Sequence, residues 1–288
     1  MPGVQDRVVV VTGAGGGLGR EYALTLAREG ASVVVNDLGG ARDGTGAGSA
    51  MADSVVAEIR EAGGCAVANY DSVATEEGAA GIVELALDEF GAIHGVVSNA
   101  GILRDGTFHK MTLENFNAVL QVHLYGGYLI TRAAWPHFRE QSYGRVVVAT
   151  STSGLFGNFG QANYGAAKLG LVGLINTLAI EGARYNIKTN AIAPIAATRM
   201  TEDIMAPETL DKLKPDYVAP VVAYLCAEEV PDTASVFVVS GGSVQRVALF
   251  LNDGTKFESQ PSVDDVAARW PEITNLIDAK PATFSLPG

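Results

Sequence analysis

Short apolar runs of strand length alternate along this chain with longer segments of helical periodicity, and this alternation constrains the fold most. Several of the short runs are almost continuously apolar and β-branched, which is typical of strands buried on both faces of a parallel sheet. The expected strands are residues 7–12, 32–36, 65–70, 93–98, 145–150, 188–193 and 236–240. The expected helices lie near 18–29, 50–62, 75–90, 112–140, 162–184 and 215–228. The pattern predicts an α/β fold with one doubly wound, seven-stranded parallel sheet and right-handed crossovers.

The alternation ends near residue 242, so we expect a main domain over residues 1–242 and a C-terminal extension over 243–288. An Asn-Asp-Gly sequence at 252–254 favours a β-hairpin in this extension. The expected elements are two hairpin strands and two short helices, at residues 244–250, 255–258, 262–269 and 271–279. We expect the extension to pack on the same domain or on a partner subunit.

Two segments interrupt the main domain. Residues 39–48 form a glycine-rich stretch after the second expected strand. We expect this stretch to be a loop close to the adenosine end of a cofactor. Residues 197–214 have the length and mixed character expected of a lid over a substrate.

Composition excludes some classes of function. The net charge of −12 argues against nucleic-acid binding, which needs clustered lysine and arginine. The two cysteines, Cys65 and Cys226, provide no disulfide framework. No His/Cys/Asp/Glu cluster has metal-ligand spacing, so no metal site is expected. Because no signal peptide and no apolar run near 18 residues are visible, we expect a cytoplasmic protein that is not inserted in a membrane.

The sequence TGAGGGLG directly follows the first expected strand and opens the first helix. Gly13 permits a tight exit from the strand, Gly17 lets the backbone approach a diphosphate, and Gly19 allows close packing of helix on strand. Leu18 lies between the last two of these glycines. A diphosphate at a helix N-terminus meets free N–H groups and a favourable dipole. This context predicts a Rossmann-like dinucleotide site.

Asp37 follows the second expected strand, about twenty residues beyond the glycine loop. A carboxylate at this place can accept hydrogen bonds from the adenosine ribose and would repel a 2′-phosphate. We therefore expect NAD rather than NADP as cofactor, with Arg20 and Arg42 as the two residues that could reverse this preference.

The ends of the third and fourth expected strands add further candidate contacts. Asp71 and Ser72 follow the third strand, where the edge of an adenine could be held. The small residues Asn99, Ala100 and Gly101 follow the fourth strand, where a cofactor ribose could lie against backbone.

Three residues predict the chemistry. Tyr164 and Lys168 are four apart on an expected helix and therefore share one face. Ser151 follows the fifth expected strand, at the edge of the sheet where open α/β folds bind ligands. With a dinucleotide site in the same chain, these side chains are suited to move the proton that accompanies a hydride.

These motifs together resemble the short-chain dehydrogenase/reductase family over residues 7–242. The motifs are TGxxxGxG, NAG, a serine thirteen residues before the tyrosine of YxxxK, and the segment from Pro194 to Thr198. One branch of the family is more similar still: the (3R)-hydroxyacyl-CoA dehydrogenase domain of peroxisomal multifunctional enzyme type 2, also called 17β-hydroxysteroid dehydrogenase type 4, and its bacterial relatives. Segments such as VVVNDLGG, NAGILRD, VHLYG and LKPDYVAPVV resemble that branch.

The resemblance implies roles for individual residues. Tyr164 would be the general base for alcohol oxidation, with its pKa lowered from about 10 by the Lys168 ammonium and a positive nicotinamide ring. Ser151 would hold the substrate oxygen, and Thr198, after Pro194, would hold the nicotinamide carboxamide. Most of the family carries an asparagine where this chain has His123, as the multifunctional-enzyme branch does. That imidazole either relays a proton or is simply a packed helix residue.

The resemblance implies an NAD-dependent oxidation of a (3R)-3-hydroxyacyl-CoA to the 3-ketoacyl-CoA. Alternatives are oxidation of a free 17β-hydroxysteroid, NADPH-dependent reduction of a 3-ketoacyl-carrier protein, and a cofactor-binding sensor without catalysis. The retained Tyr164 and Lys168 argue against the sensor. The family further implies a homodimer or homotetramer built on the helices over residues 112–140 and 162–184.

Overall fold

The structure is a computed structural model and describes residues 3–197 and 212–282. The chain forms two compact units, 1–245 and 246–288, whereas the expected boundary followed residue 242. The first unit contains the candidate site and the sheet up to residue 245, inside the last strand, and the second unit otherwise contains only short elements.

The first unit alternates strands and helices as the sequence predicts. The strands are β1 Val8–Thr12, β2 Ser32–Asn36, β3 Cys65–Asn69, β4 Gly95–Ser98, β5 Gly144–Ala149, β6 Ile187–Ile195, β7 Ser235–Ser240 and β8 Ser243–Val247. The helices are α1 Gly17–Arg28, α2 Ala50–Glu61, α3 Glu76–Phe90, α4 Leu113–Leu120, α5 Gly126–Glu140, α6 Thr152–Phe156, α7 Ala162–Gly182 and α8 Ala219–Leu225. A π-helical turn, Gln121–Tyr125, joins α4 to α5, so the single helix predicted over 112–140 is continuous but irregular.

The sheet has the order β3-β2-β1-β4-β5-β6-β7-β8, and the pairs from β3 through β7 are parallel. Every residue of β1, β4 and β5 is buried, including Arg145 of β5, whose guanidinium donates to main-chain carbonyl oxygens of Ala227 and Asn186. The chain first adds β2 and β3 on one side of β1 and then crosses over to add β4 and the later strands on the other side. This reversal of strand order creates a crevice beside β1 and β4, where open α/β sheets bind ligands.

The seven predicted parallel strands are confirmed, but the sheet has eight strands, because β8 also joins it. We expected residues 244–250 to pair with 255–258, but Ser243–Val247 lies beside β7 and residues 255–258 form no strand. The connection is only Gly241–Gly242, and both glycines have positive φ values, 49° and 85°. Two residues of this kind permit a tight antiparallel turn, so the chain folds back on β7 at once.

The second unit is small. Phe250–Leu251 (β9) pairs antiparallel with Lys280–Pro281 (β10). Helix α9, Val263–Ala268, confirms the helix expected near 262–269, and a capping box between Ser262 and Asp265 starts it. Helix α10 covers only Trp270–Ile273, so the helix expected over 271–279 is shorter than predicted.

One helix of the described residues, Ala162–Tyr185, is long and apolar enough by composition to cross a bilayer, although the sequence suggested no such run. This segment is α7 and its final turn, and it packs against α4, α6 and β6. It buries the polar side chains of Asn163 and Lys168.

Candidate active site

The candidate site residues lie at the carboxyl ends of five neighbouring strands. The register aligns Thr12 of β1 with Asn36 of β2, and Asn36 with Asn69 of β3. The glycine loop follows β1, Asp37 follows β2, and Asp71 lies two residues beyond the end of β3. On the other side of β1, the sequence Asn99-Ala100-Gly101 follows β4, and Ser151 follows β5.

The glycine loop is shaped by close approaches of the backbone. Gly13 and Gly17 have φ values of 65° and 54°, which side-chain-bearing residues rarely adopt. A Cβ atom on Gly19 would lie 2.1 Å from the carbonyl oxygen of Gly13. Helix α1 begins at Gly17, so its free N–H groups face the loop. The loop therefore has the form that a diphosphate requires.

Asn99 and Thr12 hold this loop against β4. The Asn99 side chain donates to the carbonyl oxygens of Thr12 and Gly13 at 3.1 and 3.2 Å. The Thr12 hydroxyl accepts from the backbone N–H groups of Asn99 and Ala100 at 3.0 and 3.1 Å. We did not predict the role of Thr12, although it is the first residue of the glycine motif.

Asp37 bonds to two backbone amides. One carboxylate oxygen accepts from the N–H of Gly15 at 2.8 Å, and the other accepts from the N–H of Gly39 at 2.7 Å. Asp37 also lines the cavity beside the glycine loop. Arg20 points elsewhere and pairs with Glu21 and Glu58, so it is not placed to neutralise a phosphate at Asp37.

A cavity of about 390 Å³ runs along the strand ends. It is lined by these candidate residues, among others: Gly13, Gly17, Leu18, Asp37, Asp71, Ser72, Asn99, Ala100 and Gly101. Ser151, Tyr164 and Lys168 are not on this lining. The cavity thus matches the adenosine and diphosphate portion of a dinucleotide, and the glycine cradle fits such a group.

The glycine-rich stretch after β2 crosses this cavity, and we call residues 38–48 the strap. The N–H of Leu103 donates to the carbonyl oxygen of Arg42 at 3.0 Å. The Arg104 side chain donates to the carbonyl oxygen of Asp43, also at 3.0 Å. Residues of the strap and of the segment after β4 both line the cavity, so the strap covers the cavity. The sequence predicted a loop near the adenosine end but not its attachment to the segment after β4.

The three predicted catalytic side chains converge beside the end of β5. The Nζ atom of Lys168 lies 5.4 Å from the centre of the Tyr164 ring and donates to the carbonyl oxygen of Ala149 at 2.6 Å. Ser151 lies near enough to Tyr164 to oppose the rise in the pKa of its phenol, and the Ser151 hydroxyl accepts from the N–H of Ser153, which caps α6. The fold therefore joins a strand end and a helix face in one site.

Buried Asn163 anchors the start of the catalytic helix. Its side chain donates to the carbonyl oxygen of Arg104 at 2.9 Å, and its oxygen accepts from the N–H of Tyr164 at 2.7 Å. The segment after β4 is thus attached to the strap on one side and to the catalytic helix on the other. We did not predict this residue, which sits directly before the YxxxK motif.

Burial controls ionisation in this site. Burial lowers the pKa of Lys168 to about 7. Burial also raises the pKa of Tyr164, which the Ser151 hydrogen bond opposes and the Asp105 charge reinforces. The lowering of the Tyr164 pKa that we expected from Lys168 is not produced by the residues of this chain alone.

His123 lies inside the fold, in the π-helical turn. Its ring stands edge-on to Tyr164, with centroids 5.1 Å apart. Nε2 lies 3.0 Å from the N–H and 2.8 Å from the carbonyl oxygen of Ile102, while Nδ1 is buried without a hydrogen-bond partner among the described residues. Burial, and then the Lys168 charge, lower the His123 pKa well below 6.5, so the imidazole is neutral near pH 7.

The last predicted segment is only partly described. Pro194 lies in β6, and the N–H of Ala197 donates to the carbonyl oxygen of Leu213 at 2.6 Å. Thr198, the expected carboxamide contact, lies outside the described residues, as does most of the expected lid over 197–214.

The sheet order, the glycine cradle and the Ser-Tyr-Lys cluster are those of a nicotinamide-dependent oxidoreductase. Residues 7–209 match the short chain dehydrogenase family, and the chain belongs to that family. It is 81% identical over 286 residues, 99% of this chain and all of the relative, to a Mycobacterium tuberculosis protein named as a short-chain type dehydrogenase/reductase.

Two solved structures are also similar. One is full-length peroxisomal multifunctional enzyme type 2 from Drosophila melanogaster, with a TM-score of 0.83 and 40% identity. The similarity covers 98% of this chain but 48% of the Drosophila chain. The other is a 7α-hydroxysteroid dehydrogenase complexed with NADH and 7-oxo glycochenodeoxycholic acid, with a TM-score of 0.75, 26% identity, and coverage of 84% of this chain and 96% of that one.

Proposed function

We propose that this protein oxidises a (3R)-3-hydroxyacyl-CoA to the 3-ketoacyl-CoA with NAD. The observation that carries the reaction type is the contact of Tyr164 with Ser151 and Lys168 beside a dinucleotide-shaped cavity. The acyl-CoA substrate is supported by the resemblance of nearly the whole chain to the dehydrogenase part of multifunctional enzyme type 2.

Ser151, Tyr164 and Lys168 would each have a separate role in removing the proton of the substrate hydroxyl. Ser151 would donate a hydrogen bond to the substrate oxygen, and Tyr164 would accept the hydroxyl proton as the C–O double bond forms. Lys168, when charged, would stabilise the phenolate form of Tyr164 that accepts this proton. NAD, when bound, supplies the acceptor for the hydride that leaves the carbinol carbon. Thr198 and Pro194 remain the proposed contacts for the carboxamide end of NAD.

NAD is proposed over NADP because of Asp37. Its carboxylate lines the cavity and bonds to the glycine loop, where a 2′-phosphate would meet negative charge. We expect Asp37→Ser to lower the ratio of kcat/KM for NAD to that for NADP at least tenfold. Glu84→Ser, which removes an exposed carboxylate from α3, serves as the matched control. An unchanged ratio in Asp37→Ser would contradict the proposed role.

The first experiment measures initial rates of NAD reduction. The substrates are (3R)- and (3S)-hydroxybutyryl-CoA, a long-chain (3R)-hydroxyacyl-CoA, a steroid-side-chain 3-hydroxyacyl-CoA and free 17β-estradiol. We expect turnover of the (3R)-thioesters only, with a loss of about 10³-fold in Tyr164→Phe. Tyr224→Phe, which removes a hydroxyl from an exposed tyrosine on α8, should keep the wild-type rate. If none of the thioesters is oxidised, the acyl-CoA proposal is overturned.

A hydroxysteroid is the second candidate substrate. It is supported by the similar 7α-hydroxysteroid dehydrogenase, whose complex contains a 7-oxo bile acid. Turnover of free estradiol alone would favour this candidate. A preference for NADPH together with a 3-ketoacyl-carrier protein would instead favour reduction in lipid synthesis.

We also propose a homodimer or homotetramer formed through α5 and α7. These helices expose apolar side chains, among them Tyr128, Leu169 and Ile180. Light scattering on the purified protein tests this, and a monomer at micromolar concentration would contradict it.

A further inference from the structure

Two buried asparagines lie behind the carboxylate at the end of β3. Asn36 and Asn69 face each other across β2 and β3, and both side chains are buried. Asn36 donates from one Nδ2 atom to Oδ1 of Asn69 at 2.8 Å and to the carbonyl oxygen of Asp71 at 2.9 Å. Neither asparagine was singled out by the sequence motifs.

Asn69 makes two hydrogen bonds to Asp71. Its Oδ1 accepts from the N–H of Asp71 at 2.9 Å, and its Nδ2 donates to Oδ2 of the Asp71 carboxylate at 2.8 Å. The orientation of the amide follows from the network, because a backbone N–H must meet oxygen and a carboxylate must meet nitrogen. Oδ1 of Asp71 accepts no hydrogen bond from the described residues and remains available to a ligand.

The cavity beside Asp71 is suited to a flat base. Val73, Ala118 and Val122 line it with apolar surface, and Asp71 adds a carboxylate. Asp37 follows on the neighbouring strand and the glycine loop on the next, so a base, a ribose and a diphosphate would follow in order across the strand ends. A base at Asp71 meets an acceptor and must therefore present a donor.

We propose that Asn69, supported by Asn36, is a positioning residue that turns Asp71 Oδ1 towards the 6-amino group of a purine. The site would thereby prefer a 6-amino to a 6-oxo purine dinucleotide. This inference rests on the proposed dinucleotide site and adds the residues that determine recognition of its base. Asn36 contributes by fixing the Asn69 amide and the Asp71 backbone together.

The geometry predicts which of the two purine bases an Asp71→Asn variant would favour. In Asp71→Asn, the new amide oxygen would take the Oδ2 position, because Asn69 Nδ2 must still donate to an acceptor. The new NH₂ group would then face the base and would favour the 6-oxo group of hypoxanthine. Without Asn69, the amide at 71 could turn either way, and the preference would disappear. A role of Asn69 in folding alone predicts no such reversal.

The test is calorimetric binding of NAD and of nicotinamide hypoxanthine dinucleotide to the purified protein, with no turnover required. We expect the wild type to bind NAD about tenfold more tightly, as expected for one hydrogen bond to a charged group. Asp71→Asn should bind the hypoxanthine dinucleotide more tightly. Asn69→Leu/Asp71→Asn should bind the two within about threefold of each other. Thermal melting of each variant without ligand checks that it is folded.

Each outcome is decisive. Equal binding of both dinucleotides to the wild type overturns base recognition by Asp71 and leaves the proposed function standing. The same reversal in Asp71→Asn and in the double variant overturns the role of Asn69. If Asn69→Leu prevents folding, the sign of the preference in Asp71→Asn alone supports or overturns the inference, because only the Asn69 contact defines that orientation. A wild type that binds neither dinucleotide overturns this inference and the proposed function together.

Discussion

The Nζ atom of Lys168 donates a hydrogen bond to the main-chain carbonyl oxygen of Ala149 at 2.6 Å. This contact joins the catalytic helix to the last residue of β5, two residues before Ser151. A carbonyl oxygen is a neutral acceptor, so it supplies no negative charge to balance an ammonium group. The contact therefore orients Lys168 without compensating its charge, and burial lowers the Lys168 pKa to about 7.

Lys168 should make the stability of the cofactor-free protein depend on pH. Its pKa is lower in the folded protein than in the unfolded chain, so the unfolded chain binds more protons between about pH 7 and pH 10.5. The free energy of unfolding should then fall as the pH is lowered from about 10 to about 7. Lys168→Met should lack this dependence and exceed the wild type in stability near pH 7. Urea unfolding at several pH values measures this, with Lys110→Met as an exposed control.

Ser151 should shift the pH profile of alcohol oxidation. Burial raises the pKa of Tyr164, and the Ser151 hydrogen bond opposes this rise. Ser151→Ala should therefore move the rise of kcat/KM to higher pH, besides lowering its plateau. Ser153→Ala removes a neighbouring hydroxyl and should leave the position of the rise unchanged. A profile of Ser151→Ala that overlays the wild type after scaling would contradict this prediction.

Asp105 should shift the same profile in the opposite direction. Its negative charge raises the pKa of Tyr164. Asp105→Asn should therefore move the rise of kcat/KM to lower pH while keeping the side-chain size. The carboxylate also accepts from Gln161 at 2.8 Å, so Gln161→Leu is the matched control for loss of that hydrogen bond alone. A shift of equal size in Gln161→Leu would assign the effect to the contact rather than to the charge.

Gly101 and His123 should be coupled in stability. A Cβ atom on Gly101 would lie 2.1 Å from Cε1 of the His123 ring, so this position needs glycine for space. Gly101→Ala should destabilise the fold by about 1–3 kcal/mol through overpacking. Adding His123→Ala should recover part of this loss, and a double-mutant cycle in urea measures the coupling. If the two changes in the free energy of unfolding simply add, the His123 ring moves away from the new methyl group at no cost in stability.

The strap should control how fast the cofactor leaves. Arg104 holds it through the carbonyl oxygen of Asp43, and Gly44 packs against Ile102. Arg104→Ala should raise the dissociation rate of NADH several-fold in stopped-flow fluorescence. Gly44→Val, which pushes the strap away from Ile102 without changing charge, should do the same. If only Arg104→Ala releases NADH faster, a direct contact between Arg104 and the cofactor explains the rate instead.

Much of the fold could be predicted because its signals are local. Buried β-branched runs specify strands, and TGAGGGLG at a strand-to-helix junction specifies a turn that few other residues could form. The predicted helix near 262–269 has its own capping box for the same reason. The eighth strand was missed because the Gly241–Gly242 turn competes with a second turn signal at 252–254, and only pairing with β7 decides between them.

The sequence by itself determined the order of strands and helices, the glycine loop, and the spacing that brings Tyr164 and Lys168 to one helix face. Only the tertiary structure decided the attachment of the strap to Arg104, the contact of His123 with Gly101, and the grip of Asn69 on Asp71. It also decided that the Lys168 pKa is about 7. The reason is physical: periodicity and turn chemistry act over a few residues, whereas burial and hydrogen-bond partners depend on groups that folding brings together from distant parts of the chain.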